Sequence, residues 1–245
     1  NNATTGTITL NDYTVALAGT SSDLAAALAG TFADTYTGNI TITDADYTVA
    51  QLKTINNATT GTITLNDYTV ALAGSSSDLA AALAGTFDDT YTGDITITDA
   101  NATSIAATDI STINTSTTGT ITVTNNIDIN GTAAEVAAAV GNVDTFAGSP
   151  TVTLSNAHTL AELKAINNAL GGALTLNDYT VALEGSTADI KAALAGDFAS
   201  DYAGDVTITD ADEANVTATD ITTIEGDTTG DITVSNNINI KGTAA

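Results

Sequence analysis

The amino-acid sequence predicts an α/β fold: a parallel α/β solenoid in which strand–helix coils stack on one another. Three observations lead there. Residues 1–45 recur as residues 56–100 with three changes (Thr20/Ser75, Ala33/Asp88, Asn39/Asp94). On top of that repeat, Ile55–Ala134 aligns without gaps to Ile166–Ala245, which sets a longer super-period spanning two units. Within each repeat, stretches that alternate polar and apolar residues precede stretches of helical composition. Repetition at such lengths marks arrays whose units cannot bury their apolar faces alone.

The unit starts are marked by Gly6, Gly61, Gly119, Gly172 and Gly230, at nearly even spacing. The 245 residues therefore divide into units near 1–55, 56–113, 114–166, 167–224 and a truncated 225–245. These read as one continuous array with no linker and no second domain. The chain begins and stops inside a repeat, which reads as a fragment, or the ordered part, of something longer.

Each unit opens with a strand, Thr7–Leu10 in the first copy, by its period-two alternation. Asn11-Asp12 interrupts it. Val15 then falls out of phase with Leu10, a slip that predicts a corner at Asn11-Asp12, with a two-residue hairpin as the rival reading. Ser21–Gly30 follows as a helix of two to three turns: Ser and Asp cap it, Ala and Leu favour it, and Gly30 ends it. Gly85, Gly141 and Gly196 end its counterparts. Phe32, Phe87, Phe146 and Phe198 come next and are expected to form an aromatic column inside the stack.

A second alternating strand spans Asn39–Asp44 and recurs at Ile95–Asp99, Val206–Asp210 and Thr151–Leu154. Thr48–Gln51 and Thr159–Glu162 then have capping-box spacing and open a second helix. After Asp99 and Asp210 the matching stretches hold more Ile and Thr, and shorter or irregular helices are expected. A unit thus contains two strand–helix coils, one of about 32 and one of about 23–26 residues by this reading of the repeat. A repeated strand–helix chain closes most readily as a right-handed coil with parallel strands. Ile8, Ile63, Ile121, Leu174 and Ile232 are expected to form a ladder through the core. The Asn pairs (Asn56-Asn57, Asn125-Asn126, Asn167-Asn168, Asn236-Asn237) read as corner residues whose side chains bond between coils.

The stretches Ile42–Leu52 and Asn56–Leu65 resemble repeat arrays in very large secreted or cell-surface proteins of bacteria, cyanobacteria among them. The resemblance is one of repeat style and covers the whole chain. It implies an extended extracellular protein with a structural or adhesive role. Such arrays carry no catalytic motif, so it assigns no site residue.

Composition narrows the function classes. Net charge is −25, from 29 acids against four lysines (Lys53, Lys164, Lys191, Lys241). That balance argues against nucleic-acid binding, because phosphates need cations. It attracts cations instead, and it keeps a repetitive chain soluble. Cysteine is absent, which removes disulfides and thiolate metal sites. No stretch is long and apolar enough to span a membrane. The single histidine, His158, occupies the position of Tyr47 in the repeat and reads as a surface residue. A lone histidine without cysteine supports neither a zinc site nor a triad, and no phosphate-binding glycine loop is present. The expectation is no enzyme and no cofactor other than Ca²⁺.

The candidate metal ligands are Asp44, Asp46, Asp99, Asp210 and Asp212, where a strand meets a helix. Hard Ca²⁺ prefers several oxygen ligands, yet neither the calcium nonapeptide of β-rolls nor the EF-hand loop occurs. Helix capping is the competing reading. Thr7/Thr9, Thr41/Thr43, Thr62/Thr64, Thr96/Thr98 and Thr207/Thr209 form a second candidate, an outward Thr face of the kind that binds ice. Exposed strand positions also favour Thr without any ligand. The expected function is a structural segment of a giant extracellular repeat protein: a filament, spacer or surface-layer element, with adhesion as a further role. The alternative is a module for calcium-dependent adhesion or for ice or carbohydrate binding. Expected partners are further copies of the repeat, end to end or side by side.

Overall fold

The computed structural model describes residues 6–242. The chain is α/β, with parallel sheets and alternating strands and helices. In order the elements are β1 (Leu17–Gly19), α1 (Ser21–Leu28), β2 (Ile40–Ile42), α2 (Val49–Ala58), β3 (Ile63–Thr64), β4 (Leu72–Gly74), α3 (Ser76–Leu83) and β5 (Ile95–Ile97). Then come β6 (Ser104–Ala106), α4 (Ala107–Ser116), β7 (Ile121–Val123), β8 (Asp128–Gly131), α5 (Ala133–Gly141), β9 (Thr145–Phe146), β10 (Thr151–Leu154), α6 (Leu160–Ala169) and β11 (Ala173–Thr175). The last are β12 (Leu183–Gly185), α7 (Thr187–Leu194), β13 (Asp197–Phe198), β14 (Val206–Ile208), β15 (Asn215–Thr217), α8 (Ala218–Asp227), β16 (Ile232–Val234) and β17 (Asn239–Lys241).

These elements form two compact units. One gathers the described residues up to Asp99 together with Asp109–Asn125 and Asn142–Ala147. The other gathers Ala100–Thr108, Asn126–Gly141 and the described residues from Gly148 on.

The first unit holds two separate sheets, β1-β2-β3 and β4-β5-β7-β9. The register advances by one strand–helix segment per strand. Leu17 pairs with Ile40 and Ile40 with Ile63. Leu72 pairs with Ile95 and Ile95 with Ile121. Inward residues alternate with outward Thr, so Ile40, Ile42, Ile63, Ile95 and Ile97 are buried. Each such side chain contributes about 1.5–3 kcal/mol by leaving water. The second unit repeats the arrangement in the sheets β13-β11-β10-β8-β6, β12-β14-β16 and β15-β17. There the row Ile105–Ile129–Val152–Leu174 advances in the same way, segment by segment.

The expected ladder of Ile8, Ile63, Ile121, Leu174 and Ile232 does not form. Ile63 pairs with Ile40 and Phe87, Ile8 with Phe32, and the other three lie in different sheets. The ladder step is a single strand–helix segment, whereas those positions are at least two segments apart. For the same reason the longer of the two expected coils gives way to a shorter advance, from Ile8 to Phe32.

The unit-marking glycines follow from this close stacking. A Cβ at Gly61 would lie 2.4 Å from the Gly38 carbonyl oxygen, and one at Gly119 2.3 Å from that of Gly93. In the second unit a Cβ at Gly172 would lie 2.0 Å from the Pro150 oxygen and one at Gly230 2.4 Å from that of Gly204. A buried threonine two positions earlier ties three of these steps. Thr59 Oγ1 donates to the Gly38 carbonyl (2.9 Å) and accepts from Gly61 N–H (2.9 Å). Thr117 does the same between Gly93 and Gly119, and Thr228 between Gly204 and Gly230.

The helices have eight to ten residues, too few to persist alone. Leu24 and Leu28 of α1, and Leu79 and Leu83 of α3, fix them to the sheets. Thr20, Ser75 and Ser186 cap α1, α3 and α7 by accepting the N–H three positions on. The capping boxes at Thr48/Gln51 and Thr159/Glu162 are both present. Lys53 pairs with Asp78, Lys164 with Asp189 and Lys191 with Asp220, which joins α2 to α3, α6 to α7 and α7 to α8.

Several local expectations are corrected. Helices α1, α3 and α7 end two residues before Gly30, Gly85 and Gly196, as expected, but no glycine among the described residues takes a positive φ, so the stop does not rest on a left-handed residue. The Cβ positions of Gly85 and Gly196 lie 2.0 Å from Asn56 Oδ1 and 2.2 Å from Asn167 Oδ1, and those side chains donate to the Ala81 and Ala193 carbonyls. Asn56 and Asn167 themselves lie in helices, not corners. The four Phe are half-buried and form no column. Each ends a row: Phe32 beside Ile8, Phe87 beside Ile63, Phe146 beside Val123 and Phe198 beside Leu174. The buried aromatics are Tyr36, Tyr47, Tyr91 and Tyr202. Helices α4 and α8 are as long as α2, and Ile105 and Val216 belong to the strands β6 and β15 that precede them. The corner at Asn11-Asp12 is present, closed by Thr14 N–H donating to Asp12 Oδ1 (2.8 Å). Val15 points outward there, 52% exposed, and Leu17 is the residue that pairs.

Candidate functional site

Three of the acidic residues at the strand–helix junctions, Asp44, Asp99 and Asp210, are helix caps that reach across segments. Asp44 follows β2 and accepts from Ser21 N–H (2.7 Å) and Ser21 Oγ (2.7 Å) at the first residue of α1. Asp99 accepts from Ser76 N–H (2.7 Å) at the start of α3, and Asp210 from Thr187 N–H (2.8 Å) at the start of α7. Asn156 completes the set on Ala133 N–H of α5 (2.8 Å). A helix leaves its first N–H groups without internal partners, and its positive end favours a carboxylate. Helices α1, α3 and α7 therefore each receive one cap from the preceding residue and one from the segment that follows. Partial burial opposes charge on Asp44, but the bonds from Ser21 outweigh it and hold the carboxyl below its ordinary range.

Asp46 is exposed and interacts with Asp44. Asp212 accepts from Asn237 N–H (3.0 Å), one segment on. The structure thus gives Asp44, Asp99, Asp210 and Asp212 backbone partners and brings only Asp44 and Asp46 together. Among the described residues no group of three or more His, Asp or Glu is placed to hold a metal ion. The same use of side-chain oxygen recurs along the strands. Asn39 accepts from Thr62 N–H, Asp94 from Thr120 N–H, Asn126 from Ser149 N–H and Asp205 from Asp231 N–H.

Outward threonines pair in short rows only. Thr41 lies beside Thr64, Thr96 beside Thr122, Thr122 beside Thr145 and Thr207 beside Thr233. Ala18, Ala73 and Glu184 interrupt the rows on their other side.

His158 is buried, not on the surface: 3% of it is exposed, as is Tyr47, its counterpart. Sequence reasoning missed this because it weighed the residue type rather than the apolar position that Tyr47 marks. It also missed the tyrosine clamps. The hydroxyls of Tyr36, Tyr91 and Tyr202 donate to the carbonyls of Val15, Val70 and Val181, one segment back. The signal was the Tyr-x-Gly spelling at 36–38, 91–93 and 202–204. Burial pushes the Tyr91 hydroxyl up to about 12 and raises that of Tyr202 as well, so these tyrosines serve packing.

Two cavities lie beside these residues. A groove of about 680 Å³ lies between α1 and α2, against Leu28, Phe32, Tyr36, Thr54 and Asn57. One of about 560 Å³ is lined by His158, Leu160, Lys164, Glu184 and Asp189. The first offers apolar surface and hydroxyls without an acid–base pair. Compared with known proteins, the chain matches no family model, no curated protein and no solved structure.

Proposed function

We propose that the chain is a load-spacing stretch of an extracellular repeat array, a filament, spacer or surface-layer element without catalysis of its own. In this reading the strand–helix segments wind as one α/β solenoid, and further copies of the same repeat stack on its end faces. The observation that carries it is a comparison of identical sequences. Ile63, Leu65, Leu72, Ala80 and Ala82 are buried in the second copy, where α2 packs against α3. Their counterparts Ile8, Leu10, Leu17 and Ala25 are half-exposed, and Ala27 is exposed.

The super-period repeats the pattern. Val123 and Ile129 are buried between strands, whereas Val234 and Ile240, their counterparts in the super-period, are 40% and 61% exposed. Among the described residues β16 and β17 each pair on one side only. Faces that the same sequence covers elsewhere are faces built to be covered, and unpaired strand edges favour continuation.

A calcium-dependent adhesive module, or one that binds ice or carbohydrate, is the competing reading. The capping role of the acids and the short threonine rows weigh against it. Light scattering across a concentration series tests the proposal. Mass should rise with concentration, and Ile240→Asp should suppress the rise. A chain that stays monomeric at every concentration would remove the stacking role.

A further inference from the structure

His158 replaces a tyrosine by a shorter, titratable side chain in a buried place. In the first unit Tyr47 spans that place and its hydroxyl donates to the Asp67 carbonyl. In the second unit the imidazole stops short. His158 Nε2 lies 3.0 Å from the Tyr202 hydroxyl, and that hydroxyl is 2.6 Å from the Val181 carbonyl, to which it donates. With its one proton committed, Tyr202 must accept from His158, so Nε2 carries the N–H. Nδ1 then holds a lone pair, buried, with no hydrogen-bond partner among the described residues. A second proton would land on Nδ1 and need an acceptor that the folded site does not supply.

The charged groups around it come from every packed element. Glu162 and Lys164 belong to α6, Asp178 to the turn before β12, Glu184 to β12 and Asp189 to α7, where it is paired with Lys164. Burial disfavours the imidazolium, Asp178 and Glu162 favour it, and burial prevails, so His158 sits below its ordinary value.

We propose that His158 is an acid-sensitive latch: protonation opens the α6–β12–Tyr202 region of the second unit, while the first unit, with Tyr47 in the same place, stays closed. The sign follows from proton linkage. The unfolded imidazole binds its proton near pH 6.5 and the folded one only at lower pH. Closure is therefore fully favoured above about pH 6.5 and weakens as pH falls below it. Each pH unit below that point raises the opening constant up to about tenfold, so pH 7.5 to pH 5 gives at most about 30-fold. Loss levels off below the folded value.

Amide hydrogen exchange, corrected for intrinsic rates, tests this in the intact chain. Protection of α6 and β12 should fall by several-fold or more between pH 7.5 and pH 5, and that of α2 and β4 should not. The variant His158→Tyr should abolish the difference. Equal pH dependence in the two regions of the wild-type chain would overturn the proposal without need of the variant. So would an NMR titration that places the His158 imidazole at or above pH 6.5.

Discussion

Gly171 and Gly172 are neighbours in sequence and opposites in the structure. A Cβ at Gly171 meets nothing within 4 Å, and the residue has no positive φ. A Cβ at Gly172 would sit 2.0 Å from the Pro150 oxygen, 2.8 Å from its carbonyl carbon and 3.2 Å from the Ser149 oxygen. Ordinary contact is about 3.5–4.0 Å, so Gly172→Ala drives a methyl more than an ångström into fixed backbone. The strands must part, and β11 must loosen from β10, where Val152 pairs with Leu174. Strain of about 1–3 kcal/mol and the loss of one or two ladder bonds at about 1 kcal/mol each give a total of about 2–5 kcal/mol. Gly171→Ala should instead stabilise by about 0.4–1 kcal/mol, by restricting the unfolded chain. Urea titrations of both variants measure the contrast. Equal midpoints, or a Gly172→Ala chain as stable as the parent, would refute the claim that these glycines serve backbone approach.

Other consequences can be checked in the same way. Asp99→Ala should destabilise by about 1 kcal/mol through the lost cap on Ser76 N–H, and Asp99→Asn, which keeps an acceptor, by only a few tenths. Titration calorimetry with millimolar Ca²⁺ should give no heat that Asp99→Asn removes; such a heat would restore the calcium reading. Acidification should lower the melting midpoint below about pH 4. Asp78 and Asp189, held down by their lysine partners, and Asp94, held down by Thr120 N–H, have folded values below the unfolded ones. Their contribution is complete above the unfolded value and lost as pH falls through the folded one. Asp109 and Asp227, raised by burial, act in the opposite sense but are fewer. A midpoint that rises steadily to about pH 2 would contradict this.

Much of the local structure was legible in the sequence because it depends on short-range chemistry. The period-two strands around Ile40, Ile95 and Val206 and the capping boxes at Thr48 and Thr159 stand where the residues place them. What depends on partners a segment away was not legible. The ladder step could not be read from repeat spacing, since Ile63 finds Ile40 and not its own copy Ile8. The glycines at unit starts were visible as markers, but their cause is the carbonyl of a glycine or proline one segment back. The acids were visible as a cluster at strand ends. Only the fold shows that Asp44, Asp99 and Asp210 face helix N-termini laid down one segment earlier. The type of residue at 158 suggests a surface position, whereas its alignment with Tyr47 marks a buried one.

Stability here comes from stacked neighbours and not from a segment's own sequence. The chain contains its own control, because residues 7–19 and 62–74 are identical and so are 21–28 and 76–83. Hydrogen exchange of peptides spanning Thr20 or Ser75, which mass tells apart, compares the same amides with and without a covering segment. Backbone amides of 63–83 should be protected at least about tenfold more than those of 8–28, equivalent to about 1.4 kcal/mol. Equal protection in the two copies would contradict it.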